Sequence, residues 1–198
     1  MAIDIELIKR LKDLTGAGLT DAKRALEEVE GDFDKALEAM RKKGLTKAEK
    51  RGEREARSGV IGTYNHDNRI GVLVELNCET DFVAKTEEFS ALVKDIAMHI
   101  AATSPEYVSA EEIPAADRER VEAEFKEKAL ADGKKAEMVD KIVEGQVKKY
   151  FAEKCLLEQP YVKNPDQTVA DYLKENIAKL GENLVVRRFS RMALGEVA

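Results

Sequence analysis

The sequence predicts an α+β protein in which a three-helix N-terminal module precedes a core with a small antiparallel sheet, the helices that pack on it and a helical hairpin. Three observations lead to this class. Apolar residues recur at helical spacing in the first 45 residues, they alternate as in β-strands across 58–77, and charged helical stretches follow at 115–131 and 135–153. With 198 residues, the chain can hold one ordinary domain or a small module with a modest core.

Three short amphipathic helices are predicted in the N-terminal module. The first ends at the glycine-containing break 15–18, and the second runs from near Thr20 to Gly31. Asp32 can cap the third, which we expect to end at Gly44. The apolar residues assigned to the buried face of the first helix are Ile5, Ile8, Leu11 and Leu14. Because such helices can bury a common core, they are predicted to form a small bundle.

A basic segment follows the bundle. Eight basic and three acidic residues lie between Arg41 and Arg57, which is a local net charge of +5. The segment contains no aromatic side chain that could stack on a base, so we interpret 46–57 as a solvated helical linker between a module at 1–45 and a core at 58–198. The alternative is a protein that binds RNA or the ribosome through this linker and the arginines near the C-terminus.

Two β-rich runs predict an antiparallel hairpin. GVIGTYN and IGVLVELN lie on either side of the polar turn at 66–69. Leu73 points away from the alternating apolar face, and we expect this second face to be partly covered too. The residues expected on the main buried face are Ile70, Val72, Val74 and Leu76. The next helix carries a buried stripe of Phe89, Leu92, Val93, Ile96, Ala97 and Ile100.

The charged stretches at 115–131 and 135–153 are separated by an Asp-Gly pair, and they predict a projecting helical hairpin. Thr168 can cap a further helix that Gly181 ends. The final run, NLVVRRFSRMAL, is typical of a strand, but its alternation slips at two consecutive valines. We therefore expect a bulge, or an edge strand with exposed arginines.

Composition and motifs exclude several classes of function. The net charge of -6, from 33 basic and 39 acidic residues, argues against a general nucleic-acid-binding protein. The chain contains no Gly-rich phosphate loop, no GxSxG and no HExxH, so we expect a binding protein and not an enzyme, with no nucleotide bound directly. No apolar run approaches the roughly 18 residues that span a bilayer. We expect a cytoplasmic protein without membrane contact.

The residues that could ligate a metal do not form a recognisable site. Cys78 and Cys155 lie far apart, and only His66 and His99 accompany them. We expect structural or solvent roles for both histidines and buried thiols at both cysteines. No metal and no cofactor is therefore expected.

Five motifs follow one another along the chain: TGAG at 15–18, NCETDFVAK at 77–85, KIVEG at 141–145, CLLEQP at 155–160 and GENLVVRRF at 181–189. Together they resemble the translation elongation factor Ts family, and the resemblance runs from about Ile5 to Gly195. It implies a guanine-nucleotide exchange factor for elongation factor Tu. It also implies that the three-helix module is similar to ubiquitin-associated (UBA) domains.

The resemblance assigns Thr80, Asp81, Phe82 and Val83 to the segment that reaches into the nucleotide site of the partner and dislodges its Mg²⁺. An aromatic side chain can wedge between side chains of a partner, and a carboxylate can compete for donors near an ion whose octahedral shell tolerates little displacement. The residues alone leave two structural roles open. Phe82 lies seven residues before Phe89 and could extend the same buried stripe, and Asp81 could be a helix cap.

The resemblance also implies docking through the N-terminal module. We expect Lys12 and Leu19 in this docking surface. The family usually carries methionines after TGAG, whereas this chain has Leu19 and Thr20, so the contact is weaker or reshaped here.

A homodimer is expected as well. Long members of the family have two similar halves in the core, whereas this chain has a single β-hairpin at 58–77 and one final strand. The resemblance to the short form implies that two chains associate. We expect them to meet through the core, where Val185, Val186 and Phe189 would offer apolar surface.

Overall fold

The computed structural model describes residues 3–133 and 136–196. Its elements in chain order are α1 (Ile5–Thr15), α2 (Leu19–Glu28), α3 (Phe33–Arg51), β1 (Ser58–His66), β2 (Ile70–Cys78), α4 (Asp81–Ala84), α5 (Glu87–Thr103), α6 (Ala115–Ala131), α7 (Ala136–Lys154), β3 (Pro160–Tyr161), β4 (Asn164–Thr168), α8 (Val169–Leu180) and β5 (Val185–Ala193). Helices combined with small antiparallel sheets confirm the α+β class. The chain divides into two compact units, one made of residues up to Met98 and from Ala170 onward, the other of His99–Val169.

The three N-terminal helices bury one apolar core. Its buried members are Ile8, Leu11, Ala22, Ala25, Leu26, Ala36 and Met40. The prediction for the first helix is wrong at both ends, because Ile5 and Leu14 are 66% and 47% exposed. Steps of three residues fall short of the 3.6-residue helical turn, so residues nine positions apart lie about half a turn apart. Only the middle of the predicted face therefore points inward.

Helix α3 is longer than the sequence predicts. It passes through Gly44 and ends at Arg51, so the first part of the predicted linker at 46–57 is helical. A Cβ built on Gly44 would lie 3.3 Å from the Cβ of Ala178 in α8, a tighter approach than most side chains make. Arg51 extends the same contact, since its Nη1 donates to the carbonyl of Ile177 at 3.1 Å. Gly44 permits close packing here and does not stop the helix.

The main sheet has three antiparallel strands in the order β1-β2-β5. Ser58 pairs with Cys78 and His66 with Ile70, so the predicted hairpin is confirmed. The N–H of Arg69 donates to the carbonyl of His66 at 2.9 Å, and the two central residues of this β-turn, Asp67 and Asn68, have φ values of 50° and 56°. Two positive φ values are the signature of the type I′ turn, whose twist matches that of the strands it joins.

The two faces of this sheet differ strongly. Val72, Val74 and Leu76 are buried, as predicted. Helix α5 lies against this face, where a Cβ on Gly62 would overlap Cγ1 of Val93. The expectation for Leu73 is wrong, because it is 52% exposed. The residues around Leu73 on the second face include the exposed Ile61 and Met192, so the chain leaves apolar side chains uncovered there.

Strand β5 contains the predicted bulge. Glu75 pairs with Arg188 and Leu76 with Val186, which leaves Arg187 as the extra residue. Val186 faces the buried side opposite Leu76 and is itself buried, while Val185 and Phe189 are half-buried. The expectation that these three residues offer apolar surface to a second chain is therefore wrong for Val186 and overstated for the other two.

In the second unit, α6 and α7 form the predicted helical hairpin. The buried residues of its two adjoining apolar clusters are Ile113, Val121, Phe151 and Cys155 in one and Ala129, Val139 and Val143 in the other. Strands β3 and β4 form a separate two-stranded sheet. None of the helices in the described part of the chain is both long and apolar enough to cross a membrane.

Candidate functional site

The segment between β2 and α5 is a single, exposed helical turn. Helix α4 contains no buried residue, and Phe82 is 81% exposed at its tip. Thr80 is the N-terminal cap, since its backbone is extended and its Oγ1 accepts the N–H of Val83 at 3.4 Å. The two structural roles left open are therefore both wrong. Phe82 does not extend the buried stripe, and Asp81 is the first helical residue and not the cap.

Glu182, two residues after the end of α8, binds the residues that precede this turn. Its Oε2 accepts the backbone N–H of Glu79 at 3.1 Å and that of Thr80 at 3.0 Å. Its Oε1 accepts the hydroxyl of Thr80 at 2.6 Å. Both carboxylate oxygens are thus used on two consecutive residues, and an ionised carboxylate is the acceptor-only group that suits such a set of donors.

Asn183 also binds Glu79, and it contacts a further segment, the residues that follow α3. Its backbone N–H donates to Oε1 of Glu79 at 2.7 Å. Its buried side-chain amide donates to the carbonyls of Gly52 at 3.3 Å and Arg54 at 2.6 Å, in the stretch that follows α3. Residues 182 and 183 therefore connect the end of α3 to the entrance of α4.

Two ionisable groups flank Phe82 in different environments. Lys85 Nζ lies 2.7 Å from Asp81 Oδ2, and this hydrogen bond and the lysine charge lower the pKa of the Asp81 carboxyl. Asp81 is thus ionised at neutral pH and exposed on the same turn as Phe82. Cys78 donates its thiol to the carbonyl of Thr80 at 3.1 Å, and burial, helped by the charge of Glu182, raises its pKa. That thiol stays protonated and packs beneath the turn.

The remaining predicted site residues lie on the N-terminal helices. Leu19 is the first residue of α2 and is 56% exposed. Lys12 is exposed on α1, with its Nζ 3.3 Å from Oδ1 of Asp13. Both side chains are open to solvent, as those of docking residues must be. They lie on α1 and α2, whereas Thr80–Val83 lies at α4.

Sequence reasoning did not single out Glu182 or Asn183 for this site. Glu79 and Thr80 lie more than 100 residues from them along the chain, at separations of 103 and 102 residues from Glu182. The only signal was the GENL run, which follows the glycine at the end of α8 and places a carboxylate and an amide together. Nothing in local periodicity says which segment they meet.

His99 and Cys155 are both fully buried. The N–H of Val162 donates to Nδ1 of His99 at 3.2 Å, so Nε2 carries the proton and donates to Oε1 of Gln159 at 2.9 Å. Burial lowers the pKa of His99. Burial likewise raises the pKa of the Cys155 thiol to about 11. Over residues 3–133 and 136–196, no cluster of His, Cys, Asp and Glu could hold a metal ion.

Comparison with known proteins gives a consistent result. A family model described as elongation factor TS matches residues 12–196. A protein named elongation factor Ts from Geobacter sp. (strain M21) is 53% identical over 197 residues, covering 99% of this chain and 91% of that relative. The protein of the same name from Carboxydothermus hydrogenoformans is 54% identical over 195 residues, with 98% and 90% covered. That from Desulfosudis oleivorans is 49% identical over 195 residues, with 98% of each chain covered.

Proposed function

The chain belongs to the elongation factor Ts family, and from that membership we propose that it is a guanine-nucleotide exchange factor for elongation factor Tu in translation elongation. It binds the GDP-bound partner, promotes release of GDP and so permits reloading with GTP, without carrying out a chemical reaction of its own. The observation that supports this use is the 81% exposure of Phe82 on a turn whose entrance is held by polar contacts. We assign the activity to the cytoplasm, where translation elongation takes place.

In the proposed mechanism, the turn at Thr80–Val83 enters the partner beside its nucleotide. Phe82 supplies an apolar wedge that needs no rearrangement of this chain, since it already stands clear of the core. Asp81 supplies a negative charge next to a site whose Mg²⁺ requires near-octahedral oxygen coordination. Disturbing that coordination weakens the hold on the phosphates of GDP, and Thr80 and Val83 shape the turn that carries both groups.

The thermodynamics of exchange set the size of the effect. If this chain lowers the affinity of the partner for GDP, then GDP lowers the affinity of the partner for this chain by the same factor. A nanomolar nucleotide complex corresponds to about -12 kcal/mol, and a shift of roughly 4 to 6 kcal/mol weakens it about 10³- to 10⁴-fold. One aromatic contact cannot supply that energy, so a broad interface is needed. We include Lys12 and Leu19 in it as docking residues.

We also propose a homodimer whose interface is the open face of the main sheet and not the surface of Val185, Val186 and Phe189. Ile61, Leu73 and Met192 are exposed there on three adjacent strands. A second copy placed on this face by a two-fold axis would cover the same residues in both chains, which is the commonest way for a soluble protein to assemble. Each assembly would then present two copies of the turn at 80–83.

The proposal is tested by the release of fluorescent GDP from elongation factor Tu. The labelled complex is mixed with excess unlabelled GDP, with and without this chain, and the release rate is followed across a concentration series. We expect the rate to rise and then saturate. No acceleration at concentrations where the two proteins form a complex contradicts the proposal.

The alternative, binding to RNA or the ribosome through the basic linker, receives less support. Lys42 lies 2.7 Å from Glu38, Arg57 2.6 Å from Glu55 and Arg54 3.6 Å from Glu79, so acidic neighbours offset part of the positive charge. An RNA complex held by phosphate contacts weakens steeply with added salt, whereas a packed protein interface responds less. A steep salt slope for RNA binding, without stimulated GDP release, favours the alternative.

A further inference from the structure

We propose that Glu182 is a positioning residue: its carboxylate fixes Thr80, and through Thr80 it holds the turn that carries Asp81 and Phe82 in the conformation that enters the partner. The inference rests on the proposed function and deepens it. It concerns a residue that touches neither the nucleotide nor the tip of the turn.

A helix as short as α4 is not stable by itself. It spans four residues, Asp81–Ala84, and none of them is buried. Forming the first turn of a helix fixes several backbone dihedrals for one hydrogen bond, so an isolated turn of this length is unstable in water. The conformation of Phe82 must therefore be imposed from outside the turn.

Glu182 is placed to impose it. Three donors from Glu79 and Thr80 converge on its two oxygens at 2.6–3.1 Å. The hydroxyl of Thr80 donates a hydrogen bond to Oε1 of Glu182, so a lone pair of the same hydroxyl oxygen is left to accept the N–H of Val83 at 3.4 Å. Glu182 thus selects the hydroxyl orientation in which Thr80 caps the turn.

Glu182 is itself anchored, so it can act as a fixed point. Its neighbour Asn183 is buried and bonds Glu79 on one side and the carbonyls of Gly52 and Arg54 on the other. The other charged contact of the turn, Lys85 with Asp81, lies within the segment 81–85 and is exposed on both sides. Such surface pairs contribute little, so they cannot replace the anchor.

The test compares Glu182→Ala with Glu182→Gln, Thr80→Val and a control, Glu144→Ala, which removes an exposed carboxylate from α7. Two readouts are taken on the full-length chain. One is the saturation curve of stimulated GDP release, which separates the maximal rate from the half-saturating concentration. The other is amide hydrogen exchange at residues 80–84 in the free protein.

Glu182→Ala should lower the maximal rate by about 10- to 100-fold, because a small misplacement of positioned groups such as Asp81 and Phe82 can cost that much in rate. The half-saturating concentration should change less, because docking uses other residues. Amide exchange at 80–84 should become faster while the thermal midpoint stays near that of the parent. Glu182→Gln keeps one acceptor oxygen and should recover part of both losses. Thr80→Val should resemble Glu182→Ala, and the double variant should be no worse than either alone.

Each other outcome overturns a specific claim. Unchanged amide exchange and an unchanged maximal rate in Glu182→Ala overturn the positioning role. Faster exchange with an unchanged rate shows that the contact exists but does not serve the proposed activity, which also overturns it. If Glu182→Ala does not fold, Glu182→Gln decides the same question, because it removes the charge and one acceptor oxygen while keeping the side chain in place. If the parent protein does not stimulate release at all, the proposed function fails, and amide exchange alone still reports whether Glu182 holds the turn.

Discussion

Phe82 and Phe89 lie seven residues apart, yet one is 81% exposed and the other is fully buried. In one continuous helix, residues seven apart share a face. Here α4 ends at Ala84 and α5 begins at Glu87, directly after Thr86, whose Oγ1 accepts the N–H of Phe89 at 3.2 Å. Because the two phenylalanines lie in different helices, the seven-residue spacing no longer places them on the same face. The buried phenylalanine belongs to the core, and the exposed one is free for a partner.

The largest expected effect is the loss of stability when the buried phenylalanine, Phe89, is truncated. Phe89→Ala should lower the free energy of unfolding by about 3 to 5 kcal/mol, because it removes a fully buried aromatic and leaves a cavity. Urea unfolding followed by circular dichroism measures it. Phe82→Ala is the matched control and should stay within about 0.5 kcal/mol of the parent. Equal losses in the two variants would mean that Phe82 belongs to the core after all.

Phe82→Ala should instead act on exchange. A central aromatic anchor of an interface contributes about 2 kcal/mol or more, which corresponds to roughly a 30-fold slower stimulated release of GDP at limiting concentration. The measurement is the slope of release rate against concentration of this chain. Phe82→Leu keeps part of the apolar volume, so its slope should lie between those of the parent and of Phe82→Ala. A parent-like slope in Phe82→Ala removes this residue from the proposed mechanism.

A second pair sharpens the contrast within strand β2, where Leu76 is buried and Leu73 is 52% exposed. Leu73→Glu should leave the monomer stable but weaken the proposed homodimer about 10-fold or more, because it places two carboxylates on the shared face. Sedimentation velocity over a micromolar concentration series measures the association. The control is Val162→Glu, a matched change at an exposed position outside the sheet. A parent protein that stays monomeric throughout contradicts the dimer.

The smallest expected effect concerns the buried His99. Burial depresses its pKa below the ordinary value of 6.5, so the unfolded chain binds a proton at a pH where the folded chain does not. The contribution to stability is therefore present above about pH 6.5 and is lost as the pH falls through the folded-state pKa. Chemical denaturation between pH 5 and 8 should show this slope, and His99→Gln should flatten it.

The control for this pH dependence is Thr103→Val. Thr103 donates to the same Gln159 oxygen at 2.8 Å but does not titrate, so its loss should lower stability without changing the slope. An identical slope in the parent and in His99→Gln would assign the pH dependence to other groups.

The sequence pattern predicted correctly those features that depend on residues close together in the chain. The alternation in β2 predicts the buried Val72, Val74 and Leu76, and the polar turn at 66–69 predicts the hairpin through residues that tolerate positive φ. Two consecutive valines predict the bulge in β5. The order of five motifs indicates the family. Each of these signals depends on neighbours a few residues apart, which the sequence displays directly.

Contacts between distant segments were decided only by the tertiary structure. Gly44 is a typical helix stop, but close packing on Ala178 lets α3 continue to Arg51. Leu73 is exposed because no part of the chain that the structure describes covers that face. Thr80 meets Glu182 across 102 residues because β5 pairs with β2 and brings the end of α8 beside the entrance of α4. Periodicity describes which face of an element is apolar, whereas such meetings depend on how whole elements pack together.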